Sequence, residues 1–181
     1  MAELATGHLK GVTNGAALVL GSGLGGGIII NGKLFQGSHF QAGELTFLLP
    51  LQMEKLDPSL MQETTLSAIG LITKVNEILA SLDLKDGLLA FKAINAKKEA
   101  VYPIFETYCR NLAITILNLQ TIFDMETFVL GGGISAQSIL IEEVNRQFDK
   151  VHHEIDFIGK IIKRPKIVAC HHNGTNLIGA A

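Results

Sequence analysis

The sequence predicts an α/β fold. Three observations carry that expectation: a glycine-punctuated apolar run from residue 15 to 35 holding an Asn31-Gly32 pair, an apolar stripe at three- and four-residue spacing between Glu99 and Phe123, and a succession of strand, glycine turn and helix from Thr127 onward. The 181 residues are 48% hydrophobic and 18% charged, which fits compact domains and excludes a disordered or collagen-like polymer. At this length folding removes roughly 70% of the unfolded surface from water, so no disulfide framework is needed and Cys109 and Cys170 imply none. With 15 Lys and Arg against 17 Asp and Glu, the net charge of -2 leaves no electrostatic footprint for nucleic acid or an anionic membrane. The cluster of Lys163, Arg164 and Lys166 reads as a solvated strand entry. No apolar run reaches the ~20 residues of a bilayer span, and Met1 to Lys10 lacks the charged start and apolar stretch of a secretory signal, so a soluble, cytoplasmic protein is expected. A mean hydropathy of +0.33 with 19 Gly and no Trp predicts apolar surface meant to meet another domain or subunit.

Taken in order, Gly15 to Leu20 reads as a first strand, and Gly27 to Ile30 with Lys33 to Phe35 as a hairpin, since Asn31 and Gly32 both accept the positive φ of a type I′ turn. Asp57-Pro58 supplies a cap and first-turn proline for a helix carrying Leu66, Ile69, Val75, Ile78, Leu79 and Leu82, ending near Leu82. Asp86-Gly87 marks a turn into a short helix over Leu88 to Asn95. The long helix from Glu99 to Phe123 points Phe105, Cys109, Leu112, Ala113, Ile116 and Leu119 at the core. Thr127 to Leu130 is a strand closed by Gly131 to Gly133, after which Ser135 is placed to cap a helix bearing Ile139, Leu140, Val144 and Phe148. Lys166 to Ala169 is a last strand, and Asn173-Gly174 turns the chain into an apolar end, Leu177 to Ala181. There is no internal repeat, so the chain reads as one domain, 1–181.

The glycine run matches G-x-G-x-x-G, but a dinucleotide fingerprint needs a helix directly after the loop and a hairpin follows here. A phosphate loop of the Walker type fails too, because Leu34 stands after Lys33 where a hydroxyl would hold magnesium. What is left is a glycine turn from Gly21 through Gly23, Gly25, Gly26 and Gly27 whose amides, with the Ser22 hydroxyl, suit an anion. A glycine-rich hairpin with only structural duties fits the same residues. Gly131, Gly132 and Gly133 sit between a strand and a helix, where missing side chains let a ligand approach the backbone. Glu44, in a stretch with few other charges, is a candidate acceptor for sugar hydroxyls, against the plainer reading of a solvated surface carboxylate. His152-His153 and Cys170-His171-His172 lack zinc-site spacing and read as structural or surface histidines, and no G-x-S-x-G nucleophile elbow occurs.

Four segments in this order, Leu20 to Leu34 (LGSGLGGGIIINGKL), Gly37 to Glu44 with its Ala42-Gly43-Glu44, Leu130 to Ser135 (LGGGIS) and Asn176 to Ala181, resemble the repressor/ORF/sugar-kinase (ROK) family. The likeness spans the whole chain, and from Asp57 to Ser135 it looks most like the β-glucoside kinase or fructokinase-like members of low-GC Gram-positive bacteria. It implies the C-terminal half of an actin-like ATPase (RNase H-like) fold, in which ATP with Mg2+ and a sugar lie between two α/β halves. On that resemblance the loop 21–27 corresponds to the second phosphate-binding motif, Ser22 to its hydroxyl, Glu44 to the acidic residue of the Ala-Gly-Glu sugar motif, and Gly131 to Gly133 to the nucleotide-side turn. Glu63 corresponds to a trailing acidic sugar ligand. A homodimer is implied as well.

Three departures qualify the likeness. The family's Asp-x-Gly-Gly-Thr phosphate loop has no counterpart here, and its general base, an Asp in an Asn-Asp pair, falls upstream of Ala2-Glu3. The usual Gly-His and cysteine cluster give way to Thr46-Phe47 and a cysteine-free stretch, so no zinc is expected. The chain is therefore expected to need an N-terminal domain, and alone to turn over negligibly, since phosphoryl transfer depends on a complete phosphate clamp and an oriented base. The rival expectation is a non-catalytic sugar-sensing domain of a repressor. A scaffold that kept the fold and lost the site is the third.

Overall fold

The computed structural model describes residues 2–48, 65–154 and 156–171. Its centre is a five-stranded sheet made of β1 (Gly15–Leu20), β2 (Leu24–Ile30), β3 (Lys33–Phe35), β4 (Thr127–Gly132) and β5 (Lys166–Ala169), in the order β3-β2-β1-β4-β5. The first three strands form the antiparallel meander that the Asn31-Gly32 turn dictates, with Asn31 at φ 52° and Gly32 at φ 72°. β4 then pairs parallel to β1, and β5 parallel to β4.

Alternation along the strands sorts two faces. Ala16, Leu18, Leu20, Ile28, Phe128, Leu130 and Ile167 enter the main core under α2 (Ala68–Ile78), α3 (Gly87–Asn95), α4 (Tyr102–Phe123) and α5 (Ser138–Glu154). Ala17, Ile29, Val129 and Val168 face a smaller cluster completed by Leu9, with Leu4 of α1 (Ala2–Thr6) packed against it. The stripe expected on the long helix is buried in full: Phe105, Cys109, Leu112, Ala113, Ile116 and Leu119 all lie in the core. A short helix, α6 (Asp156–Ile161), leads into β5.

Four expectations are corrected. α2 begins at Ala68, capped by the Ser67 hydroxyl accepting from the Gly70 amide, and ends at Ile78, because Ala80 at φ 50° turns the chain. Its buried face is Leu71 and Val75, while Ile69 and Ile78 are exposed and Leu66 is buried ahead of the helix. α4 starts at Tyr102, where Pro103 occupies the first turn, which tolerates a missing donor. Ser135 does not cap α5, since its hydroxyl donates to the Gly132 carbonyl at 2.8 Å and the helix begins at Ser138. Gly25, Gly26 and Gly27 belong to β2, opposite Val19, Leu18 and Ala17, so the turn proper is Gly21 to Gly23. Asp57-Pro58, Glu63 and the apolar end 177–181 lie outside the described residues.

Candidate functional site

Two glycine turns meet at one end of the sheet. β1 delivers Gly21-Ser22-Gly23, a tight turn in which the Gly21 amide donates to the Gly23 carbonyl at 3.0 Å. Ser22 is exposed, and no described residue bonds its hydroxyl. The first amide of α2, on Ala68, donates to the Gly21 carbonyl at 2.8 Å, which sets the helix start against the turn. β4 runs parallel to β1 with Gly132 opposite Leu20, so the second turn emerges beside the first. Gly132 is obligatory there: its φ is +100°, and a Cβ would lie 2.1 Å from the Leu20 carbonyl oxygen.

A cavity of about 520 Å³ opens between the two turns, walled by Gly21, Gly133 and Ile134 on one side and by Ile72, Leu88 and Phe91 on the other. Asp83, Lys85 and Gln137 add polar edges. A Cβ placed on Gly21 or on Gly133 would meet nothing within 4 Å, so at these two positions the absent side chain leaves room for a ligand instead of serving internal packing. Apolar walls for a ring and glycine amides for an anion are what a nucleotide needs.

Glu44 lies on a loop packed against β2. It precedes a 3-10 turn, Leu45–Phe47, is exposed, and its carboxylate accepts no hydrogen bond from any described residue. The loop that carries it is fixed to β2: Gly43, at φ +94°, is so close that a Cβ would stand 2.4 Å from the Gly26 carbonyl oxygen, and a Cβ on Gly26 would meet the Gly43 carbonyl oxygen at 2.8 Å. The hydroxyl of Thr46 accepts from the Leu24 amide at 3.1 Å. The structure thus brings the Ser22 turn and the Glu44 loop to one strand and the two glycine turns to one cavity.

Sequence reasoning passed over two carboxylates that the chain uses on itself. Glu3 is buried and accepts from the His8 amide at 2.9 Å and the His171 amide at 2.8 Å, tying α1 to the end of β5. Glu143 of α5 is buried among Arg146, Gln147 and Tyr102. Burial pushes its carboxyl up, but hydrogen bonds from those three donors outweigh it and leave the group below the usual carboxylate range. Burial and the Glu143 bond raise the Tyr102 hydroxyl to about 12, and burial drives the Cys109 thiol upward. Arg146 and Gln147 stand three and four residues after Glu143, the spacing of one helix face and a signal the sequence did offer, whereas Tyr102 and, for Glu3, His171 come from far along the chain. Of the histidines, His152 is buried with Nε2 2.7 Å from the Ile162 carbonyl oxygen, and His153 Nδ1 lies 2.7 Å from the Asp149 carbonyl oxygen. Among the described residues no three of His, Cys, Asp and Glu stand together as a metal site, and no helix is long and apolar enough to cross a membrane.

An RNase H-like α/β half with paired glycine turns at one sheet end is the class that fold and site define. The ROK family model matches residues 1–181, and the chain belongs to the ROK family. It is 29% identical to the N-acetyl-D-glucosamine kinase of Vibrio cholerae, over 96% of this chain and 59% of that protein. It is 28% identical to the glucokinase of Halalkalibacterium halodurans, over 82% and 50%. Among solved structures, a ROK family protein from Streptococcus pneumoniae in complex with sucrose superposes with a TM-score of 0.79 at 29% identity, over 96% of this chain and 58% of that one. A ROK glucokinase from Streptomyces griseus in complex with glucose and AMPPNP gives 0.82 at 22% identity, over 99% and 63%. The chain spans between half and three-fifths of the length of the Vibrio cholerae and Halalkalibacterium halodurans kinases.

Proposed function

We propose that this chain is the C-terminal half of an ATP-dependent sugar kinase that phosphorylates a hydroxyl of glucose, of a related hexose or of a β-glucoside. The observation that carries the reading is the convergence of Gly21 and Gly133 on one cavity, each with open space where a Cβ would be. In this reading the cavity takes the nucleoside, the Gly21 to Gly23 amides and the Ser22 hydroxyl hold phosphate oxygens, and Glu44 accepts hydrogen bonds from the sugar. Gly131 to Gly133 close the nucleotide side, with Gly25 to Gly27 supporting the phosphate turn from within β2. Glu63 is assigned to the sugar. Magnesium would arrive with the nucleotide and neutralise phosphate charge; this chain's part is to position both substrates.

The general base and the first phosphate loop belong, in this proposal, to an N-terminal half outside these 181 residues. Coupled ADP release with glucose, N-acetylglucosamine and cellobiose tests it. The chain alone should give no turnover above background, while a longer polypeptide carrying an Asp-x-Gly-Gly-Thr loop and an Asn-Asp pair ahead of Ala2 should phosphorylate at least one of them. Equal turnover by the chain alone would refute the division of labour. Sugar binding without ADP release by the longer protein would make it a sensor. Exposed Phe40, Phe47, Phe157 and Ile161 fit the further proposal that copies of the chain pair in solution. Light scattering reads that mass directly.

A further inference from the structure

The outer edge of β2 is only half covered by a strand. β3 pairs with Ile28 to Ile30, so that among the described residues Leu24 to Gly27 have no strand neighbour on that side. The Glu44 loop takes the place of one. Its Gly43 backbone lies against Gly26, the Leu45 side chain is buried there, and the Thr46 hydroxyl accepts the amide of the fully buried Leu24. That amide needs an acceptor, and among the described side chains Thr46 supplies it.

The bond has a second end. The Leu24 N–H and the Gly23 C=O belong to one peptide group, which is planar and turns as a unit. Its nitrogen side is held by Thr46 at 3.1 Å, and its oxygen side accepts the Gly21 amide at 3.0 Å across the exposed turn that carries Ser22. Any rotation imposed through Thr46 is therefore felt at Gly21. Thr46 in turn sits inside the 3-10 turn that Glu44 opens, with the Phe47 amide donating to the Glu44 carbonyl at 3.3 Å.

We propose that Thr46 is a positioning residue that couples Glu44 to the phosphate-facing turn, so that a sugar seated on Glu44 reorients the Gly23–Leu24 peptide and with it the amides around Ser22. The inference rests on the reading of Glu44 as a sugar ligand and adds to it a route by which one substrate prepares the site of the other. Thr46 touches neither substrate; its hydroxyl acts through the Leu24 amide.

Amide resonances of the 15N-labelled 181-residue chain, titrated with D-glucose and with N-acetyl-D-glucosamine, test the coupling. With a sugar that binds, Glu44 and Leu45 should move together with Gly21, Gly23 and Leu24, all along one saturation curve. In Thr46→Val the movement at Gly21, Gly23 and Leu24 should be lost while that at Glu44 and Leu45 remains, and Thr46→Ser, which keeps the hydroxyl, should restore it. A purely structural role would shift resonances without ligand and leave the sugar-dependent movement intact. Movement at Glu44 and Leu45 in the unmodified chain with none at Gly21 and Leu24 overturns the coupling whether or not the valine variant folds. So does persistence of the coupled movement in Thr46→Val. No response at Glu44 to either sugar, in this chain and in the longer polypeptide alike, overturns the sugar-site reading itself, and the coupling with it.

Discussion

Glu143 and Glu44 are carboxylates on elements packed against the same sheet, and the chain treats them in opposite ways. Glu143 is enclosed by Tyr102, Arg146 and Gln147, and Arg146 also bonds Glu106 of α4, so the charge of Glu143 is answered from within. Glu44 stands exposed, its carboxylate without a hydrogen-bond partner among the described residues, on a loop held by its backbone and by Thr46. The glycines divide the same way. Gly132, Gly43 and Gly26 are required by the backbone in front of them, while Gly21 and Gly133 face open space. Groups satisfied internally maintain the fold; groups held rigidly but left unanswered are those available to a ligand.

That division breaks first at Gly132. Gly132→Ala meets both an unfavourable φ and the Leu20 carbonyl, and should cost roughly 3–5 kcal/mol in denaturant unfolding. Gly21→Ala, whose Cβ meets nothing within 4 Å, should stay within about 0.5 kcal/mol. A comparable loss at both positions would show that no glycine here is spared for a ligand.

Next in size is Glu143→Gln, which removes charge-assisted hydrogen bonds and should lower stability by about 2 kcal/mol. Because the folded carboxyl lies below its ordinary range, the stabilisation is present above that range and fades as pH falls through it. Thermal melts should therefore converge with those of the glutamine variant at acid pH. Melts that stay parallel across the carboxylate range would remove Glu143 from the comparison.

The smallest effects on stability belong to the exposed pair. Ser22→Ala and Glu44→Gln should leave the melting temperature in place, whereas calorimetric affinity for ADP and for sugar respectively should fall about tenfold, the equivalent of ~1.4 kcal/mol. A drop in melting temperature without a drop in affinity would move either residue to the structural class.

The regular parts of this arrangement were legible in the residue order. Asn31-Gly32 fixed the hairpin, the stripe from Phe105 to Leu119 fixed the central helix, and Lys166–Ala169 was bounded correctly by its apolar run. α2 was misjudged because its helical period continues past the point where Ala80 takes a left-handed turn, a choice set by Asn76, whose side chain donates to the Leu84 and Asp86 carbonyls. Gly25 and Gly26, ahead of the strand expected from Gly27, looked like loop because strand propensity undervalues glycine, and only pairing with β1 restores them to the ladder. Of the proposed site, Ser22, Glu44 and the glycine turns were nameable from motif order. The cavity shared by Gly21 and Gly133 and the Thr46 bridge arise from contacts between distant segments that no local pattern encodes.

The central claim is that the space beside Gly21 and Gly133 belongs to a nucleotide, and Gly133→Val tests it most directly by placing a side chain in that space, where its Cβ meets no atom within 4 Å. Calorimetric titration with ADP and magnesium should show binding by the unmodified chain and a loss of at least about tenfold, ~1.4 kcal/mol, in the variant at unchanged melting temperature. Undiminished ADP affinity in a folded Gly133→Val protein would contradict the account.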